Sequence, residues 1–254
     1  MRITIKIGSN VLTREDGSLD FTRMSALVDQ IATLRQMGHE IILVSSGAVA
    51  SGRSELKHIQ ENLDSVDQRQ LFSAVGQAKL INRYFELFRE YGISVGQLLT
   101  TKENFLDAEH LRNQANCMRV MLENRVLPIV NENDTVSITE LMFTDNDELS
   151  GLIAEMTKSQ CLIILSNIDG FYTGNPSESD SRLIRVVNRG CDLSQYIQKT
   201  KSTAGRGGMQ SKCCVASRLA SSGIGVVIAN GKRENILLKV MTERDKTPCT
   251  EFLC

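Results

Sequence analysis

Two kinds of apolar pattern alternate along the chain. Short runs rich in Ile, Val and Leu are nearly continuous: Ile3–Ile7, Ile41–Val44, Val126–Val130, Cys161–Leu165 and Val226–Ala229. Runs of that length without polar alternation suit parallel strands covered on both faces. Ile93–Leu99 reads as a further strand. Between the runs lie longer stretches whose apolar residues return every three or four positions. Met24, Leu27, Val28, Ile31 and Leu34 mark a helix over Phe21–Met37, with Gly38 as its stop. Leu71–Tyr91, Asn104–Asn124, Asp147–Lys158 and Met209–Ser222 carry the same period. Strands alternating with helices predict an α/β fold, a mostly parallel sheet with helices on both faces. The pattern weakens over residues 171–205, where a hairpin or an excursion around the site is expected. With no internal repeat and no linker, residues 1–254 read as one domain.

Composition narrows the function. The chain has 254 residues, 41% of them hydrophobic, enough to bury a full core. Lysine and arginine number 29 against 30 acidic residues, a net charge of −1, with no long basic tract. That balance speaks against nucleic-acid or membrane-surface binding. No apolar run approaches membrane-spanning length and the first residues lack a signal-peptide core, so the expectation is a cytoplasmic protein. The seven cysteines form no C-x-x-C pair and fit neither a zinc site nor a disulfide framework. His39, His58 and His110 lie far apart, without ligand spacing.

In open α/β sheets, ligands bind beyond the carboxyl ends of the strands. The polar residues at those ends are therefore the candidates for chemistry. The first strand carries Lys6 and runs into Gly8. Lys6 has two readings that the pattern alone does not separate: a gatekeeper on an edge strand, or a cation aimed at phosphate. The second strand ends in Ser45-Ser-Gly-Ala-Val-Ala-Ser-Gly52, a small-residue turn whose free N–H groups would suit an anion. It is neither a Walker A loop nor G-x-G-x-x-G. Val126–Val130 is followed by Asn131-Glu-Asn-Asp134, and Asp145-Asn-Asp147 opens the next helix. Ser166 and Asn167 follow another strand. Gly205-Arg-Gly-Gly-Met-Gln-Ser-Lys212 leads into a helix with Lys212 in its first turn, against the helix dipole. Two lysines, two glycine-rich anion loops and several Asp and Asn side chains suit phosphoryl transfer, which needs positioning and charge neutralisation. A carboxylate acceptor is already ionised at neutral pH and needs no general base. It needs cations, because two like charges ~4 Å apart repel by several kcal/mol at an effective dielectric near 20. A kinase acting on a small amino acid or other acid fits best.

Five motifs in order carry a closer resemblance: Lys6-Ile-Gly-Ser-Asn-Val-Leu-Thr13, Ser45–Gly52, Val130-Asn-Glu-Asn-Asp134, Thr144-Asp-Asn-Asp147 and Gly205–Lys212. They resemble the amino acid kinase family, and within it the glutamate 5-kinases, over almost the whole chain. The resemblance implies a three-layer α/β/α sandwich whose N-terminal half holds L-glutamate and whose C-terminal half holds ATP. It implies transfer of the γ-phosphate to the side-chain carboxylate of glutamate, the first step of proline synthesis. Lys6 and Lys212 would neutralise the transferring group and Asp147 would orient them. Ser46, Gly47, Asp134 and Asn146 would bind glutamate. Lys6, Ser166, Asn167, Arg206, Gly207, Gly208, Met209, Gln210, Ser211 and Lys212 would line the nucleotide site. The resemblance also implies Mg²⁺ held mainly through the nucleotide phosphates, feedback inhibition by proline, a homo-oligomer and functional coupling to glutamyl phosphate reductase.

The chain departs from the family pattern in having Arg206 for a usual Thr, Asn167 for Asp and Thr144 for Gly. The C-terminal PUA domain of many members is expected to be absent. Rival readings are a same-fold kinase for acetylglutamate, aspartate, carbamate, UMP or an isoprenoid phosphate, and a non-catalytic amino-acid sensor. A phosphate acceptor would call for basic groups near Gly47, where the sequence offers Arg53. A sensor would need neither lysine.

Overall fold

The computed structural model describes residues 1–56, 63–137, 145–191 and 208–254, together with Phe143 and Leu193. Strands β1 (Arg2–Ile7), β2 (Glu40–Ser45), β3 (Val95–Thr100), β4 (Leu127–Glu132), β5 (Cys161–Ser166), β6 (Val186–Val187), β7 (Gly225–Asn230) and β8 (Cys249–Phe252) form one sheet. Their order across it is β3-β4-β2-β1-β5-β7-β8-β6. The pairings from β3 through β7 are parallel, and β8 runs antiparallel to β7. Each expected strand is present within a residue or two of its apolar run.

The edge-strand reading of Lys6 is corrected here. β1 lies in the middle of the sheet, flanked by β2 and β5, and Lys6 is 5% exposed. A central strand needs no gatekeeper, so its lysine must have a buried partner. Alternation along β1 sets the direction. Ile3, Ile5 and Ile7 pack into the core that contains Met24, Leu27 and Ile31 of α2 (Phe21–Gln36) and Tyr84 and Phe88 of α4 (Ser65–Arg89). Thr4 and Lys6 therefore face the opposite layer. That layer holds α7 (Asn146–Met156), whose Leu149 and Ile153 pack on Ile42, Val44 and Val130. It also holds α8 (Met209–Ser221), whose Val215, Ala216 and Leu219 pack on Leu162, Ile164 and Ile228. Two helical layers enclose the sheet, as the periodicity predicts.

Several elements differ from the sequence expectation. The helix expected over Asn104–Asn124 is two pieces, α5 (Glu103–Leu106) and α6 (Ala108–Glu123). Asp107 accepts hydrogen bonds from the N–H groups of Glu109 and His110 and so starts the chain afresh as a cap. α4 begins six residues before Leu71 because Asp64 caps Val66 and Asp67 in the same way. Ser9–Leu12 forms the short α1. The small-residue turn after β2 is shorter than expected, since α3 (Ala48–Glu55) takes up most of it. Near the C-terminus, Ile236–Thr242 forms α9, ahead of β8. In the weakly patterned 171–205 stretch, Tyr172 bridges Leu183 before β6; residues 194–205 fall outside the described set.

α3 and α4 cross with their backbones in contact. A Cβ on Gly52 would sit 1.8 Å from the carbonyl oxygen of Phe72, and one on Gly76 1.8 Å from that of Ala48. The crossing fixes the start of α3 over the carboxyl ends of the strands. All seven cysteines are free. Burial pushes the thiols of Cys161 and Cys213 up to about 11 and about 12, so both stay protonated and act as small apolar groups.

Candidate active site

The carboxyl ends of β1, β2, β4 and β5 open onto a cavity of about 910 Å³. β1 delivers Lys6 from below. α7 delivers Asp147 from its first turn, after Asp145 caps the helix by accepting the N–H groups of Asp147 and Glu148. α8 delivers Lys212 from its fourth residue. The three meet: Lys6 Nζ lies 2.6 Å from Asp147 Oδ1 and Lys212 Nζ 2.8 Å from Asp147 Oδ2. Asp147 is fully buried and both lysines nearly so. Burial alone would raise the Asp147 carboxyl, but the two ammonium groups outweigh it and hold the acid below its ordinary value. One carboxylate between two lysines leaves a net positive charge at the cavity wall, the complement of a polyphosphate.

Two helix N-termini with glycine caps face the same space. Gly47 caps α3 and Gly208 caps α8, and neither has a side chain to satisfy the first N–H groups. With no side-chain cap among the described residues, those groups suit an anion. Gly47 has φ of 109°, the left-handed region that favours glycine. At Gly8 a Cβ would come within 3.3 Å of Lys6 Nζ, so a side chain there would crowd the ammonium.

On the β4 side lies a chain of amides. Asn146 Nδ2 donates to Ser46 Oγ at 2.8 Å and to Asn131 Oδ1 at 3.0 Å, and Asn131 Nδ2 donates to Gln77 Oε1 at 2.8 Å. Tyr84 holds the same corner, 2.8 Å from Ser45 Oγ. Beyond the amides Arg69 of α4 meets two carboxylates. Its Nε donates to Asp134 Oδ1 at 2.8 Å and its Nη2 to Glu132 Oε2 at 3.0 Å. Glu132 Oε1 accepts the N–H of Phe143 at 3.0 Å. Burial, with Asp134 beside it, pushes the Glu132 carboxyl up to about 7. Asp134 is raised too, by burial, with Arg69 and Ser73 opposing.

Most of the residues picked from the sequence come together here. Lys6, Lys212 and Asp147 line the cavity with Ser46, Gly47, Asp134 and Asn146. So do Ser166, Asn167, Gly208 and Met209. Gln210 is exposed, and neither it nor Ser211 is on the wall. Arg206, Gly207 and Thr144 lie outside the described residues. The sequence pattern gives no sign of Arg69, Gln77 or Tyr84, and it places Asn131 and Glu132 in a motif without giving them a role. Among the described residues no three His, Cys, Asp or Glu side chains gather as a metal cage. No helix among them is long and apolar enough to cross a membrane.

Residues 1–230 match the amino acid kinase family. The chain belongs to the amino acid kinase family. A glutamate 5-kinase of Bacteroides thetaiotaomicron is 68% identical over 252 residues, 99% of this chain and 70% of that protein. One of Chlorobaculum tepidum is 48% identical over 93% of this chain and 65% of its own length. The chain thus spans about two thirds of both relatives. A shorter relative, the glutamate 5-kinase of Clostridium acetobutylicum, is 37% identical and 90% covered. Among solved structures, the UMP kinase from Ureaplasma parvum superposes with a TM-score of 0.65 at 17% identity, covering 100% of this chain and 98% of that one. An isopentenyl phosphate kinase substrate complex does so with 0.68 at 15%, covering 99% and 100%. These two establish the amino acid kinase fold for the chain as a three-layer α/β/α arrangement.

Proposed function

We propose that this chain transfers the γ-phosphoryl group of ATP to the side-chain carboxylate of L-glutamate, giving L-glutamyl 5-phosphate. The observation that carries the reaction is the buried Lys6–Asp147–Lys212 triad at the cavity wall. The names of the relatives narrow the acceptor.

The acceptor carboxylate approaches already ionised, so the chemistry needs no proton removed. It needs the repulsion between nucleophile and triphosphate relieved, and the two ammonium groups do that. Asp147 holds them a fixed distance apart, and its own charge is maintained by them. The glycine-capped start of α8, with Ser166 and Asn167 opposite, receives the nucleotide; Arg206 and Gly207 are assigned to the same site by the motif alone. Ser46, Gly47 and Asn146 receive glutamate through hydrogen bonds, and Asp134 offers a carboxylate to its α-ammonium group. Mg²⁺ would arrive on the nucleotide phosphates and screen their charge. Asp145 Oδ2, buried with no hydrogen-bond partner among the described residues, is the protein oxygen suited to that ion or its waters. In this reading the chain performs the first step of proline synthesis, takes proline as feedback inhibitor, acts as a homo-oligomer and passes a labile acyl phosphate to glutamyl phosphate reductase.

The structural neighbours phosphorylate phosphate monoesters by name, which makes such acceptors the second reading. The acceptor side speaks against it. Arg53 stacks over Phe72 there, but Arg69 is held by two carboxylates that would repel a phosphate. The test is acyl-phosphate formation with ATP and Mg²⁺, trapped with hydroxylamine, for L-glutamate, L-aspartate, N-acetyl-L-glutamate and UMP in parallel. Hydroxamate from glutamate alone supports the proposal. Nucleotide turnover with UMP and none with glutamate moves the acceptor to the second reading.

A further inference from the structure

Arg69 is unexpected in a site that is to receive a positively charged amino group. A cation on the acceptor wall competes with an ammonium unless it does something else. Its partners indicate what that is. Glu132 and Asp134 are 4% and 7% exposed; Glu132 ends β4 and Asp134 lies in the turn just beyond it. Two buried carboxylates this close cannot both ionise without a counter-charge, and left alone such a pair shares a proton. With Arg69 forked between them, the three groups carry one net negative charge when both acids are ionised, enough for one further cation. Asp134 Oδ1 is taken by Arg69, while Oδ2 has, among the described residues, only Ser73 Oγ at 3.4 Å and is the oxygen offered to a ligand. Among the described residues, the other charged groups on this side of the cavity are Arg53 from α3 and Asp145 at the start of α7.

We infer that Arg69 is a positioning and specificity-determining residue: it holds Asp134 ionised and aimed, so that the site selects acceptors bearing an α-ammonium group over the same diacid without one. Glu132 is its second anchor and carries the effect onward. Its other oxygen takes the N–H of Phe143, two residues before the Asp145 cap that sets Asn146 and Asp147. Arg69 thereby ties the acceptor wall to the start of α7. This inference deepens the proposed function and rests on it.

The test is steady-state kinetics with L-glutamate and with glutarate, which lacks the amino group, from about pH 6 to about pH 8.5. Arg69→Met should raise the KM for glutamate about tenfold or more near pH 6.5, with recovery as the pH rises and the orphaned acids ionise. Its kcat and its KM for ATP should stay within about threefold, and the preference for glutamate over glutarate should shrink about tenfold. Arg69→Lys keeps the charge but loses the fork, so its KM should fall between the two; it also serves if Arg69→Met does not fold. Adding Glu132→Gln to Arg69→Met removes one of the competing acids and should lower the KM for glutamate about threefold at low pH. A merely structural role for Arg69 would not be rescued by that second change. An unchanged KM in Arg69→Met, a loss confined to kcat, or a double variant no better than the single overturns the inference. Absence of glutamate turnover in the unaltered protein overturns the proposed function and this inference with it, whereas normal turnover with indifferent variants overturns this inference alone.

Discussion

Lys212 sits where a helix dipole disfavours it and where little water reaches it. Asp147 compensates both penalties, and in the proposed function the charge of Lys212 acts on a ligand. Replacing it tests that. Lys212→Ala should lower kcat about a hundredfold or more while glutamate affinity, read by calorimetry, changes little. A turnover within about threefold of normal would remove the cation role. Asp134→Ala should act on the other quantity, raising the KM for glutamate with a smaller effect on kcat. Legibility in the sequence divides along the same line. Lys6 and Lys212 were readable because a lysine in an apolar strand and a lysine at a helix start are each locally anomalous. Arg69 was not, because it looks like any helix arginine. Its partners lie 63 and 65 residues further along the chain, on another element.

At the scale of elements, β1 to β5 and β7 were legible, while the short β6 and β8 and the helices α1, α3 and α9 were not. Continuous Ile, Val and Leu runs have few alternatives to a buried strand. α3 reads Ala-Val-Ala-Ser-Gly-Arg-Ser-Glu, a poor helix on propensity, with small polar residues and a central glycine. Tertiary contact explains it: the glycine is what lets α4 lie against it. α9 reads Ile-Leu-Leu-Lys-Val-Met-Thr, too apolar and too short for its period to show. The crossing of α3 and α4 yields a prediction at this scale. Gly76→Ala places a methyl group inside the van der Waals shell of the Ala48 carbonyl. It should lower stability by about 2 kcal/mol or more, measured by denaturant unfolding. It should also raise the KM for glutamate in whatever folds, since α3 carries Gly47 over the cavity. An unperturbed midpoint would mean that the helices separate easily.

For the whole molecule, two buried acids pull the pH dependence in opposite directions. Asp147 is lowered in the fold, so its contribution is present above the unfolded carboxylate range, near 4, and is lost as pH falls below it. Glu132 is raised from 4.5 to about 7. The folded chain then holds a proton that the unfolded chain releases, so stability falls as pH rises through that window and the loss is complete above it. Asp134 adds to the same trend. Denaturation midpoints followed from about pH 4 to about pH 8 should therefore pass through a maximum near about pH 5 and decline toward neutrality. Glu132→Gln should flatten the decline without moving the acid limb. A decline of equal slope in that variant would place the titrating group elsewhere. The overall plan, with one crevice at the carboxyl ends and polar residues gathered around it, followed from the order of strands and helices alone. The charge balance within the crevice did not, because it depends on which elements the sheet order makes neighbours.

Gly52 and Gly76 are not on the cavity wall, yet their tolerance of change is set by the same few ångströms that set the cavity. In a library of single substitutions scored by growth without an external supply of the product, both positions would be as blank as Lys6 and Lys212. Growth alone would thus inflate the apparent active site with residues from a helix crossing. Solubility would sort the two groups: the lysine variants would accumulate as intact, inert protein, and the glycine variants would be degraded before they could be assayed.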